Sequence, residues 1–364
     1  MKRRRLLRAL AALPALGVLR ADAALAGGNP YYSGPVTPRF DGRRFRNPDS
    51  GFSGRSFGDL LRWRAESRDP WPDLVPSPHP PDRPPARVER GLRVSTLGHM
   101  GFLIQTAGLN LLTDPVYSER ASPFAVAGPR RHNPPGIPFE ALPRIDAVLV
   151  SHAHYDHMDL DTLARLRARD GCRILTPLGN DAILRNHDSD LGAATTTGDW
   201  GDEVELGPGQ AGRSVRVRFE PAHHWSARAL TDRNCAFWCG FSVEGPDRAV
   251  FFAGDTGFDE GRPFRAAAAA RRARGLRPHD LALLPIGAYA PRWFMSAQHM
   301  DPEEAVRAWE ILGRPRALGG HWGTFRLTNE GAFAPAEELS AALAKRNVAP
   351  DRFQAALPGL VATV

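Results

Sequence analysis

Ile145-Asp146-Ala147-Val148-Leu149-Val150-Ser151-His152-Ala153-His154-Tyr155-Asp156-His157 decides the reading of this chain. Its first half is a short, β-branched apolar run, the signature of a buried strand. Its second half puts four potential ligands, His152, His154, Asp156 and His157, into six residues. Alternation along a strand end gives His152 and His154 the same facing. The chain must then turn into a helix beginning near Asp159, so Asp156 and His157 can address a second position nearby. Imidazole and carboxylate ligands without thiolates suit a catalytic metal that keeps a position open for water.

Three more candidates follow apolar runs further along: His224 in Pro221-Ala222-His223-His224-Trp225, Asp255 in Phe251-Phe252-Ala253-Gly254-Asp255-Thr256-Gly257, and His321 in Gly319-Gly320-His321-Trp322-Gly323. In open α/β sheets the functional crevice lies beyond the carboxyl ends of the strands. These positions are what a dinuclear site would need.

Around them, short apolar runs predict strands: LRVSTLGHMGFLIQTAGLNLLTDP from Leu92, SVRVRFEPAHH, FWCGFSVEG, RAVFFAGD, LALLPIGAY and RALGGHWG. Helical patterns cover Leu160 to Arg169, Asp181 to His187, Phe264 to Arg274, Pro302 to Ile311 and Pro335 to Lys345. Strand clusters with helices between and after them predict a layered α/β protein. Residues 27–85 read as an extension rather than a domain, with one amphipathic piece near Phe57 to Ala65 and eight prolines from Pro70 to Pro85 that form a stiff connector. Its aromatics, among them Tyr32, Phe40, Phe45, Phe52 and Trp63, predict that it packs on the body at 86–364.

The chain has 364 residues, 42% apolar and 24% charged, which excludes collagen, coiled coil and wholesale disorder. Residues 1–26 have a basic start, an apolar stretch from Ala9 to Leu19 and an Ala24-Leu25-Ala26 exit, the layout of an export signal, loosely of twin-arginine type. Export to the periplasm is the expectation, and a tether in the inner membrane the alternative. These residues carry +5 of the net charge of +7, so the remainder, at +2, does not advertise nucleic-acid binding. Strand spacing would hold Cys235 and Cys239 about 13 Å apart. They and Cys172 therefore read as buried thiols rather than a disulfide framework.

His152-x-His154-x-Asp156-His157, a later His, the Gly-Asp-Thr-Gly aspartate and a final His together resemble the metallo-β-lactamase superfamily, from about residue 90 to the end. Within it, Leu97-Gly98-His99, Thr113-Asp114-Pro115, Ile286 to Met295, Gln298 to Ala305 and His321-Trp322-Gly323-Thr324-Phe325 resemble the phospholipases D that hydrolyse N-acyl-phosphatidylethanolamines. The resemblance implies a four-layer αββα sandwich and two zinc ions, with iron or manganese fitting the same donors. His152, His154 and His224 would hold one ion, Asp156, His157 and His321 the other, and Asp255 would bridge; His223 leaves an off-by-one alternative to His224. Asp114 would orient ligands. His99, Tyr289 and Gln298 would contact substrate, and Asp255, Asp156 and His299 would carry catalysis.

The implied activity is hydrolysis of a phosphodiester by a hydroxide shared between the two zincs, with a phospholipid as substrate. The aromatic extension and Trp293-Phe294-Met295 would form an apolar approach for peripheral membrane contact, and a homodimer is compatible. A lactonase or β-lactamase would share the metals but attack a carbonyl, and a non-catalytic metal-binding module would keep them idle.

Overall fold

The structure, a computed structural model, describes residues 28–48, 54–208 and 212–364. The export signal read in residues 1–26 and Phe52 of the extension lie outside them. Among the described residues no helix is long and apolar enough to cross a membrane.

One sheet holds β1 (Leu92–Gly98), β2 (Gly101–Thr106), β3 (Leu109–Thr113), β4 (Ala147–Leu149), β5 (Arg173–Pro177), β6 (Thr195–Gly198) and β14 (Val361–Thr363), in the order β14-β1-β2-β3-β4-β5-β6. The other holds β7 (Glu203–Leu206), β8 (Val215–Glu220), β9 (Gly240–Glu244), β10 (Ala249–Phe252), β11 (Leu281–Pro285), β12 (Arg316–Gly320) and β13 (Phe353–Ala355), in the order β13-β12-β11-β10-β9-β8-β7. Both are mixed, with parallel pairs β3/β4/β5/β6 and β10/β11/β12/β13.

The period of two builds the layers. Leu111, Leu149 and Leu175 face Val217, Phe252, Leu283 and Leu318 across the space between the sheets. Their strand neighbours Leu112, Val148 and Ile174 point outward onto the helices Leu160–Asp170 and Asn180–His187. On the other side Phe251, Ala282, Leu284 and Ala317 meet the helices Arg262–Ala273, Pro302–Ile311 and Ala334–Ala344. Strands buried on both faces explain the near-continuous apolar runs in the sequence. The result is the αββα sandwich.

The helices stop where their chemistry says they must. Asp159 accepts from the Thr162 backbone at the start of Leu160–Asp170, and Gly171, at φ 68°, closes it. Asp301 and Glu304 form a capping box with Pro302 in the first turn. The strands β5, β6, β7, β13 and β14, three to five residues each, are not marked by the sequence pattern. Cys235 to Cys239 is not strand, as the sequence suggested; β9 starts only at Gly240, and all three cysteines are free and buried.

The extension lies on the sandwich. Phe40 and Phe45 are buried against Ala222, Phe237 and Trp238. The helix Phe57–Ala65, opened by a Ser56/Asp59 capping box, buries Leu60 and Trp63 against Trp225, Phe294 and Met295. In the proline-rich run Val75 is buried and donates from its backbone to His132 O, while Trp71 Nε1 donates to Glu330 O.

Candidate metal centre

The carboxyl ends of β3, β4, β8, β10 and β12 lead into Asp114, His152, His224, Asp255 and His321. His99 sits in the turn between β1 and β2. His152 and His154 lie beyond β4, in a turn rather than on the strand, so the turn aims them instead of strand alternation. It is tied by the backbone N–H groups of His157 and Met158 donating to His154 O. Arg228 supports the same turn: Nη1 donates to Ala153 O and Met158 O at 2.8 and 2.9 Å, and the guanidinium lies 4.0 Å from the Tyr155 ring centre. Gly254 must be glycine, because at φ 59° a Cβ would meet Ser151 Cβ at 2.7 Å.

Two groups of side chains converge. His152 Nε2 and His224 Nε2 lie 2.8 and 3.3 Å from His154 Nδ1. On the other side His99 Nε2, His157 Nε2 and His321 Nε2 lie 2.9, 3.3 and 3.4 Å from Asp156 Oδ2. Asp255 Oδ2 stands between the groups, 3.0 Å from His321 Nε2, 3.2 Å from His157 Nε2 and 3.7 Å from His224 Nε2. His299 Nδ1 is 3.8 Å from the same oxygen.

The far side of several rings is already engaged. His157 Nδ1 donates to Asp114 Oδ2 at 2.7 Å, His152 Nδ1 to Ser151 Oγ at 2.9 Å, and Ser151 Oγ to Asp114 Oδ2 at 2.6 Å. His224 Nδ1 donates to Gln298 O at 3.0 Å. Each arrangement leaves Nε2 bearing a lone pair that faces the cluster. Ring nitrogens that meet lone pair to lone pair, beside an Asp255 Oδ1 without a hydrogen-bond partner, fit divalent cations. The residues that could hold them are His152, His154 and His224; His99, Asp156, His157 and His321; and Asp255 toward both.

The electrostatics agree. Burial and the neighbouring imidazoles lower the His152 pKa far below its ordinary value, and burial lowers His154 and His99 to about 3 and His299 to about 4. Burial also opposes charge on His157, but Asp255, Asp156 and Asp114 override it and raise that pKa strongly. His321 is likewise raised, to about 9, chiefly by Asp255 against burial. Burial works against the charged forms of Asp156 and Asp255, yet the surrounding imidazoles hold both carboxyls well below the usual range. The two carboxylates thus stay ionised inside a buried pocket, where positive charge offsets them. The backbone is bent to serve them: His321, His99 and Asp114 have φ of 65°, 55° and 32°, each costing on the order of 1–3 kcal/mol.

His223 turns away from this centre. Its Nδ1 donates to Ala297 O at 2.7 Å and its Nε2 lies 3.9 Å from Asp259, so the next residue, His224, faces the cluster. Three sequence expectations, for Tyr289, His99 and Phe294, are corrected. Tyr289 does not reach the cavity over the cluster, because its hydroxyl donates to Glu338 at 2.6 Å; His99 is buried behind Asp156 and belongs to the cluster rather than to a substrate wall. Gln298 and His299 do line the cavity. Its volume is about 440 Å³, and Trp63, Trp225 and Met295 form apolar walls. Phe294, expected on that wall, is instead buried beneath it, stacked on Trp63 at 5.0 Å. Arg228 and the cavity arginines Arg64, Arg68 and Arg326 went unnoticed in the sequence, since single arginines in loops carry no periodic signal.

The model of the beta-lactamase superfamily domain matches residues 109–322. That span holds every residue of the two clusters except His99. The chain belongs to the metallo-β-lactamase superfamily. It is 36% identical over 255 residues, 69% of each chain, to N-acyl-phosphatidylethanolamine-hydrolyzing phospholipase D 1 of Caenorhabditis elegans. It is 29% identical to a UPF0173 metal-dependent hydrolase of Nitratidesulfovibrio vulgaris, over 71% of this chain and 89% of that one. Igni18, a metallo hydrolase of Ignicoccus hospitalis, shares the fold with a TM-score of 0.52 at 20% identity, over 76% of this chain and 99% of that one. This superfamily member is a metal-dependent hydrolase.

Proposed function

We propose that the chain is a phosphodiesterase of phospholipase D type acting on N-acyl-phosphatidylethanolamine-like lipids, with His152, His154 and His224 holding one zinc, Asp156, His157 and His321 the other, and Asp255 between them. The observation that carries this reading is the opening of two adjoining His/Asp clusters onto a largely apolar cavity. Exposed Phe124 and Leu230 line it, at 44% and 58% exposure. Exposed Phe57 and Leu61 lie on the helix that supplies Trp63. Such a rim supports contact with a lipid surface, and the similarity to the nematode phospholipase supports the substrate class.

Two divalent ions, when bound, supply Lewis-acid charge and an activated water for in-line displacement. The protein's part is positional. Asp114, through His157 and Ser151, fixes the tautomers and orientations of His157 and His152. Asp255, with Oδ2 between the two groups and Oδ1 without a partner among the described residues, is assigned to hold the ions and the water near them. As the water oxygen bonds to phosphorus, the bond from phosphorus to the ethanolamine oxygen breaks. His299, lining the cavity beside Asp255 and held neutral by burial, is assigned to take the proton released by the attacking water and pass it to the leaving oxygen. The products are phosphatidic acid and an N-acylethanolamine. The walls of Trp63, Trp225 and Met295 exclude bulk water and receive acyl chain.

The test is hydrolysis by the zinc-loaded chain of an N-acyl-phosphatidylethanolamine, a simple phosphodiester, a β-lactam and a lactone, beside Asp255→Asn. Lipid turnover lost in the variant is the expected result. Turnover of the simple diester alone would remove the lipid from the reading, and turnover of only a carbonyl substrate would overturn the phosphodiesterase. Elemental analysis of the isolated protein tests zinc against iron and manganese. Residues 1–26 are proposed to direct export, which a reporter fused to them would test.

A further inference from the structure

His99 is the member of the two clusters that precedes the residues matched by the family model, and it occupies the tight turn between β1 and β2. It is buried, and its Nε2 lies 2.9 Å from Asp156 Oδ2. His157 and His321 each stand within ion-pair distance of both Asp156 and Asp255. Among the described residues His99 reaches Asp156 alone. It therefore meets that carboxylate from outside the group the other rings enclose.

The two ring nitrogens separate a ligand from a donor. An ionised carboxylate only accepts, so the hydrogen bond to Asp156 requires Nε2 to carry a proton. His99 Nδ1 is buried and has no hydrogen-bond partner. Were Nε2 a ligand, the proton would sit on Nδ1, a buried donor with nothing to receive it, which is costly. His152, His157 and His224 avoid that cost because an acceptor meets Nδ1 of each. His321 Nδ1 also lacks a partner, but His321 Nε2 faces Asp255 and His157 as well as Asp156.

The backbone of His99 acts on a second ligand. Its carbonyl accepts from the His321 N–H at 3.0 Å, and its own N–H donates to Thr324 Oγ1 at 3.0 Å. Gly320 permits that approach, since a Cβ there would lie 2.8 Å from His99 O. The rings of His99 and His321 pack with centres 4.1 Å apart.

We propose that His99 is a positioning residue for the half of the centre formed by Asp156, His157 and His321. Its Nε2–H holds the Asp156 carboxylate, its carbonyl holds the His321 backbone, and its imidazole is not itself a ligand. The group it serves is a divalent cation site of one carboxylate and two imidazoles, whose carboxylate would otherwise rotate about its terminal bond. The inference deepens the proposed reading and rests on its two-ion centre, with no substrate involved.

The test is titration of the metal-freed full chain with cobalt(II), read by visible absorption and by competition with a chelator, for the native chain, His99→Ala and His99→Gln. Glutamine puts an amide donor near the place of imidazole Nε2 and brings no imidazole nitrogen. The native chain should take up two ions. His99→Ala should weaken one of them about 10–100-fold and leave the other within about two-fold of native. His99→Gln should recover most of the lost tightness, with cobalt bands that superpose on the native ones because no ligand is exchanged. Displaced bands in His99→Gln, or binding as weak as in His99→Ala, would make His99 a ligand and overturn the assignment. Unchanged affinity in His99→Ala, or equal weakening of both ions, would overturn it as well. Should circular dichroism show that the alanine variant does not fold, His99→Phe, which fills the space beside Phe325 without a donor, takes its place. A native chain that holds fewer than two ions refutes the two-ion reading and this inference with it, whereas two ions held as tightly by the variant refute this inference alone.

Discussion

His157 Nδ1 lies 2.7 Å from Asp114 Oδ2, and both side chains are fully buried. Asp114 follows β3 and His157 follows β4, so the contact joins the ends of two adjacent parallel strands behind the cluster. The same carboxylate receives Ser151 Oγ and the Ser151 backbone N–H, fixing the approach to His152.

Removing that charge should loosen both halves of the centre. Asp114→Asn keeps the shape but offers an amide in place of one acceptor oxygen, so His157 loses its orienting partner. Metal affinity should fall by about 10–100-fold. Competition with a chelator measures it, and affinity within a factor of about two of the native chain would refute the role.

The neighbours His223 and His224 separate ligand from scaffold. His224→Ala should lower bound metal toward half, while His223→Ala should keep native stoichiometry. The latter change should cost about 1–3 kcal/mol of stability through the orphaned Ala297 carbonyl. Elemental analysis and denaturant unfolding read the two effects, and metal lost from the His223 variant instead would reverse the assignment.

Arg228 acts on the ligands through their backbone. Arg228→Lys loses the guanidinium plane over Tyr155 that places Nη1 against both Ala153 O and Met158 O. Metal should dissociate faster than from the native chain, with the helix content unchanged. Stopped-flow chelation beside circular dichroism checks this.

Trp63 fastens the extension. It is 4% exposed, stacks on Phe294 and donates from Nε1 to Asn329 Oδ1 at 3.0 Å. Trp63→Ala should cost about 3–5 kcal/mol of docking, speed tryptic cleavage after Arg62 and Arg64, and raise KM more than it lowers kcat. Unchanged proteolysis would contradict it.

Glu220 supplies a pH dependence away from the metals. Burial is the main cause that raises its pKa from 4.5 to about 7, and its Oε1 accepts from Ser242 Oγ at 2.7 Å. A folded pKa above the unfolded one means the native state holds the extra proton between those values. The contribution of Glu220 to stability should therefore be full below pH 4.5 and be lost as pH rises through about 7, by up to about 1.4 kcal/mol per pH unit. Glu220→Gln should flatten that slope, as urea unfolding at several pH values would show.

The sequence by itself determined the layers and the cluster. Residues 145–151 and their counterparts are apolar on both faces because each strand is covered twice, and the helix over residues 302–311 matches its pattern residue for residue. Ligand chemistry is local, so a dense His/Asp motif is legible without a fold. Tertiary structure alone decided which way each side chain points. His223 and His224 are equivalent as letters and diverge only because Ala297 O and Gln298 O, distant in sequence, each capture one ring. Tyr289 was drawn off by Glu338, and His99 was drawn in by Asp156, for the same reason. The cavity arginines come from segments more than 250 residues apart, and no sequence period records that meeting.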